Sequence, residues 1–145
     1  MKILLTLILV LISVLVYAQK DTISVTGTDT PKEFKTVQTE AQFRGGVKGW
    51  QRYLETNLNV DLGAKYLKPK RGQTITQQAL VSFLVDTLGN ISEVQILNLG
   101  EVHPKLAAEA VRVIKEGPKW VPATQNGKKV TYRQKQAVTW QVAAE

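Results

Sequence analysis

The last third of the chain, residues 104–142, constrains the fold more than any other segment. Its first part repeats apolar residues such as Leu106 and Val113 at helical spacing. Pro118 stops this pattern, because proline lacks the amide hydrogen that a helix interior requires. Residues 132–142 then alternate between polar and apolar side chains, which is the period of a strand with one buried face. This order predicts a helix, a proline-bounded turn and a long C-terminal strand.

A second pattern of period two lies upstream and predicts a β-hairpin. In its first strand the apolar residues that share a face are Ala79, Val81, Phe83 and Val85. Residues 87–90 supply the turn, because Gly89 and Asn90 tolerate positive φ angles. The returning strand places Val94 and Ile96 on one face.

A further helix is predicted to begin at Gly45 and Gly46. Its apolar stripe consists of Val47, Trp50, Leu54 and Leu58. Residues 61–77 contain two glycines and a proline, and they predict a short helical piece around 64–67 followed by a basic loop.

Two helices and three strands, each with one apolar face, predict an α+β fold. We expect a two-layer sandwich, in which a three-stranded antiparallel sheet carries two main helices on one face. The large side chains assigned to the core between these layers are Trp50, Phe83, Trp120 and Trp140. The carboxylates on the charged stripe of the second helix, Glu109 and Glu116, are expected to be exposed.

Three sequence motifs follow one another along the chain, and their order and spacing are informative. They are Phe-Arg-Gly-Gly at residues 43–46, the helix and Pro-Lys-Trp-Val-Pro turn at 103–122, and Gln-Asn-Gly-Lys-Lys-Val at 125–130. Residues 42–142 therefore resemble the C-terminal domain of TonB-type energy transducers. The chain departs from the family pattern at His103, where Asp is more usual. It also lacks the long proline-rich linker that family transducers carry before this domain.

The resemblance implies that the C-terminal strand lies at an edge of the sheet. In the family, an extended segment of an outer-membrane receptor adds to that edge. The unpaired backbone groups of an edge strand hold such a guest, which is β-augmentation. The residues that the resemblance assigns to partner-strand binding are Gln134, Lys135, Gln136, Ala137, Val138, Thr139 and Trp140. Alternatively, Arg133 and Lys135 blunt this edge, or a second copy of the domain covers it as a homodimer.

The N-terminus has the pattern of an export signal. Lys2 precedes an apolar run over residues 3–16, and Val-Tyr-Ala at 16–18 suits a signal peptidase. As a helix at about 1.5 Å per residue, the run spans roughly 21 Å, short of the ~30 Å hydrocarbon core of a membrane. We expect a cleaved signal peptide at 1–18, a flexible lead-in at 19–41, the domain at 42–145, and a periplasmic location. An uncleaved signal would instead anchor the chain in the inner membrane, facing the periplasm.

The composition disfavours catalysis and cofactor binding. The sequence contains one histidine, His103, and no cysteine, so no Cys/His dyad and no multi-histidine metal site can form within the chain. The net charge of +7 comes from basic clusters at 65–71 and 128–135. These suit a solvated surface, anionic headgroups or acidic partner segments, and an exported chain without an aromatic and basic platform is a poor nucleic-acid binder.

The sequence thus predicts an exported, non-enzymatic peptide-binding module without a cofactor or small-molecule substrate. Its expected partner is an outer-membrane receptor segment or another periplasmic chain. One alternative is a component of TonB-dependent energy transduction that keeps its N-terminal anchor. Others are a homo-oligomeric structural protein that pairs its own edge strands and an unrecognised hydrolase.

Overall fold

Three helices and five strands form along residues 32–145, the part of the chain that the computed structural model describes. The elements in chain order are β1 (Glu33–Phe34), α1 (Gly46–Asn57), α2 (Asp61–Tyr66), β2 (Thr74–Val85), β3 (Ile91–Ile96), α3 (Pro104–Lys115), β4 (Ala123–Gln125) and β5 (Lys128–Ala143). The predicted signal peptide and most of the predicted lead-in lie outside the described residues. Within this range the α+β class is confirmed.

The sheet is mixed and has the strand order β1-β5-β2-β3, with β4 paired to β5. Strands β2 and β5 are antiparallel over their whole shared length, from the pair Thr74–Ala143 to the pair Val85–Tyr132. Strand β3 is antiparallel to β2, with an irregularity in register between Ser82 and Leu84.

The prediction of a three-stranded antiparallel sheet is therefore wrong by two strands. Residues 33–34 pair in parallel with Thr131 and Tyr132 and so form β1. Strand β4 forms because Asn126 and Gly127 both adopt positive φ angles, 50° and 70°, and fold the chain back in a two-residue turn. Both strands are two or three residues long, which is too short for periodicity to reveal them.

The core lies between one face of β2 and the helices. Ala79, Val81, Phe83 and Val85 are fully buried on that face, as the alternation predicted. Buried residues of α3 in the same cluster are Leu106, Ala107, Ala110, Val113 and Ile114. The structure also buries Trp50, Trp120 and Trp140, which are 7%, 3% and 3% exposed.

The predicted stripe of α1 is correct for Trp50 but wrong for Val47. Val47 is 75% exposed, because it lies in the first turn of the helix and its side chain leaves the core. Leu54 and Leu58 are partly buried against the core. The helix begins at Gly46 after Gly45, whose φ of 81° is left-handed.

Glu109 is buried, which corrects the expectation that its carboxylate is exposed. It is 7% exposed and accepts hydrogen bonds from the backbone N–H of Asn59 at 2.8 Å and from Arg112 at 2.7 and 2.8 Å. Arg112 also donates to the carbonyl of Asn57 at 2.7 Å. The hydrogen bonds from Arg112 lower the pKa of Glu109 and outweigh desolvation, which acts to raise it. The hydrogen bond from Asn59 lowers the pKa further. This ion pair fastens α3 to the segment that joins α1 and α2.

Residues 39–42 pair with the segment that follows α3. Thr39 and Thr124 exchange hydrogen bonds at 3.2 and 2.9 Å, and Gln42 and Val121 exchange them at 3.0 and 2.8 Å. This pairing delivers the side chain of Phe43 into the core, where it is 8% exposed. The last residues of the predicted lead-in are thus fixed to the domain.

Candidate partner-binding edge

Strand β5 has one covered side and one side that is open over most of its length. Strand β2 pairs with residues 132–143 on the first side. On the other side, β1 pairs only with Thr131 and Tyr132 before the chain turns away. No strand of residues 32–145 pairs with residues 133–143 along this side, which we call the open edge.

Hydrogen bonds on β2 identify the β5 residues whose backbone faces the open edge. The carbonyl of Leu80 accepts from Leu97, and its N–H donates to Asn98, so the backbone groups of Leu80 face β3. Because neighbouring strand residues point to opposite sides, Ala79 and Val81 face β5, where their partners are Val138 and Gln136.

The intervening residues of β5, Lys135, Ala137 and Thr139, therefore direct their N–H and C=O groups to the open edge. All three belong to the predicted partner-strand site. The sequence left open which of them presents a free N–H, and this register assigns one to each. The other predicted members, among them Val138 and Trp140, turn their backbone groups to β2.

Two glutamine side chains contact backbone carbonyls of the open edge. The side-chain Nε2 of Gln134 donates to the carbonyl of Lys135 at 3.1 Å, and that of Gln136 approaches the carbonyl of Ala137 at 3.5 Å. These contacts agree with the outward direction of both carbonyls. The side-chain Oε1 of Gln134 is buried and has no hydrogen-bond partner.

A cavity of about 350 Å³ lies beside the open edge on the helix-facing side of the sheet. Its lining residues are Glu40, Ala41, Gln42, Phe43, Gly46, Val47, Trp50, Trp120, Gln134 and Gln136. The three large rings lie close together: the centroid of Phe43 is 5.3 Å from that of Trp50 and 5.6 Å from that of Trp120. We call this space the edge cavity.

A second, more polar space separates β1 from the start of the open edge. Arg133 lines it and pairs with Glu33 of β1 at 3.0 Å and with Glu93 of β3. Its hydrogen bonds to Glu33 and then Glu93 raise the pKa of the Arg133 guanidinium. Desolvation, followed by the nearby carboxylate of Glu40, raises the pKa of the Tyr132 hydroxyl. The charge of Arg133 is thus compensated by the carboxylates of Glu33 and Glu93.

Lys135, the second residue expected to blunt the edge, has an exposed side chain on the opposite face from the edge cavity. Its side chain therefore leaves the helix-facing approach clear. The sequence did not reveal the contributions of residues 40–43 and Val47 to the cavity, because they come from the lead-in and from a helix start. The sequence feature that could have pointed to this part of the cavity was Phe43, which lies next to Gly45 and Gly46.

Part of the sequence matches a known family. Residues 68–142 match the family described as Gram-negative bacterial TonB protein C-terminal, which is just over half of the chain. The chain belongs to the TonB C-terminal family. The match begins downstream of the motif at 43–46, so the edge cavity combines residues inside and outside the matched range. Comparisons with curated proteins and with solved structures gave no match.

Membership in the TonB C-terminal family makes this domain a protein-interaction module with a protein partner. Within the described residues, no helix is long and apolar enough to cross a membrane. The same residues contain no group of three or more His, Asp or Glu side chains that could hold a metal ion.

Proposed function

We propose that this TonB-type domain is a non-enzymatic periplasmic module that binds an extended partner segment by strand addition to the open edge of β5. The observation that carries the proposal is the row of outward backbone groups at Lys135, Ala137 and Thr139. A guest strand pairs with such groups through its own backbone, so it needs no particular side chain to form the ladder.

Strand β1 supports this proposal from within the chain. Residues 33–34 already add to β5, in parallel, at Thr131 and Tyr132. The ladder ends there because the chain turns away after Phe34. A guest strand would extend the same side of β5 from residue 133 onward.

The partner that the family suggests is the N-terminal segment of an outer-membrane receptor. Charge favours acidic segments, because the chain has a net charge of +7. Export by the signal at residues 1–18 would place the domain in the compartment where such receptor segments end.

Titration of receptor N-terminal peptides tests the proposal. Proline at position 135, 137 or 139 removes the outward N–H while the neighbouring core side chains stay in place. We expect Lys135→Pro, Ala137→Pro and Thr139→Pro to weaken binding at least fivefold. The matched controls, Lys135→Ala and Thr139→Ala, keep the N–H and should bind within about twofold of the unchanged chain.

Two results would contradict strand addition. One is that no folded proline variant binds more weakly than its alanine control. The other is that none of the receptor peptides binds at millimolar concentration. If the same prolines instead abolish self-association of the chain, the open edge pairs with a second copy, and the homo-oligomer alternative holds.

A further inference from the structure

We propose that a second copy of this chain occupies the open edge when no receptor segment is bound, and that its residues 22–26 are the guest strand. This proposal rests on the strand addition proposed above and adds regulation of the same site by self-association. Residues 22–26 lie outside the described residues, and it is their sequence that points to this role.

The sequence of residues 22–26 is that of a strand with one apolar face. Thr22, Ser24 and Thr26 alternate with Ile23 and Val25. Threonine, isoleucine and valine are enriched in strands, and the run contains no glycine or proline. Because backbone groups alternate along a strand, a run of this length turns three residues to one side. The open edge offers the same number of outward residues.

One register suits both faces of this run. Val138 is buried on the helix-facing side of β5, and alternation places Gln136 on the same side, where it lines the edge cavity. Residues that lie directly opposite each other in a ladder share a face, so Ile23 or Val25 opposite Gln136 faces the cavity. A shift by one residue would turn both apolar side chains to solvent, which fixes the register.

The same register aligns the polar residues of the guest with the outward backbone groups of β5. Thr22, Ser24 and Thr26 then lie opposite alternate residues of the stretch 135–139, whose N–H and C=O groups point to the open edge. Each of the three brings one donor and one acceptor to the ladder. The apolar face and the hydrogen-bonding pattern of the run are therefore satisfied together.

The edge cavity offers apolar surface to the two aliphatic side chains. Phe43, Trp50 and Trp120 line it, and Val47 at its rim is 75% exposed. An added strand lies about 5 Å outside β5, which brings its helix-facing side chains to the mouth of the cavity. Burial of isoleucine and valine against this surface stabilises the complex beyond what backbone pairing supplies.

The direction of β1 assigns the guest to a second copy. Strand β1 is parallel to β5, and its last residue, Phe34, lies beside Tyr132 at the start of the open edge. The N-terminal end of β1 therefore points away from that edge. Residues 22–26 of the same chain would have to double back along β1 through residues 27–32, whereas a segment from a second copy has no such constraint.

Pairing of this kind is weak and depends on the concentration of the chain. Fixing residues 22–26 in one conformation costs conformational entropy, which lowers the affinity of such segments. We expect self-association with a dissociation constant of roughly 0.1–1 mM. A dilute chain then keeps its open edge free, and a receptor segment that binds more tightly displaces the second copy.

Sedimentation equilibrium of the purified chain tests the self-association. Ser24→Pro interrupts the guest strand at its centre, and Thr28→Pro, which lies outside the run, is the matched control. We expect Ser24→Pro to weaken self-association at least about fivefold and Thr28→Pro to leave it within about twofold.

Paired substitutions test the register. Ile23→Ser with Val25→Ser removes both apolar side chains and should weaken self-association about tenfold. Thr22→Ser with Thr26→Ser keeps the alternation and should change it less than about twofold. Equal effects of the two pairs would mean that the apolar face of the run does not meet the cavity, and would overturn the register.

A synthetic peptide of residues 20–27 locates the contact on β5. It should bind the unchanged chain and compete with receptor peptides, and Thr139→Pro should bind it at least about fivefold more weakly than Thr139→Ala. The proposal is overturned if the chain stays monomeric up to about 1 mM. It is also overturned if Ser24→Pro associates as strongly as Thr28→Pro, or if the two variants at position 139 bind the peptide equally.

The outcomes separate this proposal from the proposed function. If edge prolines weaken receptor peptides but the chain does not self-associate, strand addition holds and the second copy is not a guest. If Ser24→Pro abolishes self-association while edge prolines affect neither it nor receptor peptides, the segment binds elsewhere and both proposals are wrong. If Ser24→Pro strengthens receptor binding in a chain that stays monomeric, the assignment to a second copy is overturned.

Discussion

The backbone N–H of Trp120 donates a hydrogen bond of 3.0 Å to the carbonyl of Gly89. This contact joins the β2–β3 loop to the proline-bounded turn after α3. Gly89 has a φ of 83°, and a Cβ atom added to it would lie 2.1 Å from the carbonyl oxygen of Trp120. Both the conformation and the close approach therefore require glycine at this position.

Gly89→Ala should lower the free energy of unfolding by more than about 2 kcal/mol, because it adds a backbone clash to the cost of a left-handed alanine. Gly127→Ala is the matched control. Gly127 also has a positive φ, 70°, but no atom lies within 4 Å of its added Cβ, so only the conformational cost of about 1 kcal/mol applies. Chemical denaturation measures both, and equal losses would contradict the close packing of the loop on Trp120.

Trp120→Ala should cost about 3–5 kcal/mol of unfolding free energy, as is usual for truncation of a buried large aromatic residue. Trp120 is 3% exposed, and its ring centroid lies 4.9 Å from that of Phe83. Leu88→Ala, at a site that is 70% exposed, should cost less than about 0.5 kcal/mol. A loss below about 1 kcal/mol for Trp120→Ala would mean that the ring contributes little to the core.

The buried carboxylate of Glu109 should make stability depend on pH. Hydrogen bonds from Arg112 lower its folded-state pKa, and the hydrogen bond from Asn59 lowers it further. Desolvation raises the pKa but does not offset them. A lowered folded-state pKa stabilises the fold above the unfolded-state value of 4.5. That stabilisation is lost as the pH falls through the folded-state pKa. Unfolding free energies measured between neutral and acidic pH should therefore fall towards acid.

Glu109→Gln should destabilise the fold by about 1–3 kcal/mol at neutral pH, because it removes charge-assisted hydrogen bonds to Arg112. Its stability should also fall less steeply towards acid than that of the unchanged chain. Glu116→Gln is the control, since Glu116 contacts the same arginine but its side chain is 62% exposed. If both variants show the same pH dependence, the buried ion pair is not the cause.

The long elements were predictable because each carries its own period. The alternation of apolar residues in β2 and β5 predicted their buried faces, and the helical spacing of Leu106 and Val113 predicted the buried face of α3. Such patterns are local, so they can be recognised without knowledge of the tertiary structure.

Features made by distant residues were not predictable. Glu109 is buried because Asn59, 50 residues away, donates to it, and no local pattern on α3 distinguishes it from exposed Glu116. Likewise β1 exists only because β5 offers it an edge. The edge cavity combines the lead-in, α1 and β5, and periodicity within any one of these elements carries no information about the others.

The proposed export predicts a chain that starts at Gln19. The intact mass of the secreted protein should lack residues 1–18, since Val-Tyr-Ala at 16–18 suits signal peptidase. Recovery of the full-length chain from the inner-membrane fraction would contradict cleavage. That result would favour an anchored component of energy transduction.

Amide hydrogen exchange along β5 tests the open edge most directly. In the free chain, the N–H groups of Gln136, Val138 and Trp140 are bonded to β2 and should exchange slowly. Those of Lys135, Ala137 and Thr139 face the open edge and should exchange faster, which gives an alternating pattern. A receptor peptide that binds by strand addition should slow exchange at least tenfold at Lys135, Ala137 and Thr139. Exchange at the amides bonded to β2 should stay nearly unchanged. Uniform protection of all six amides in the free chain, or a bound peptide that leaves Lys135, Ala137 and Thr139 unprotected, would contradict partner binding at this edge.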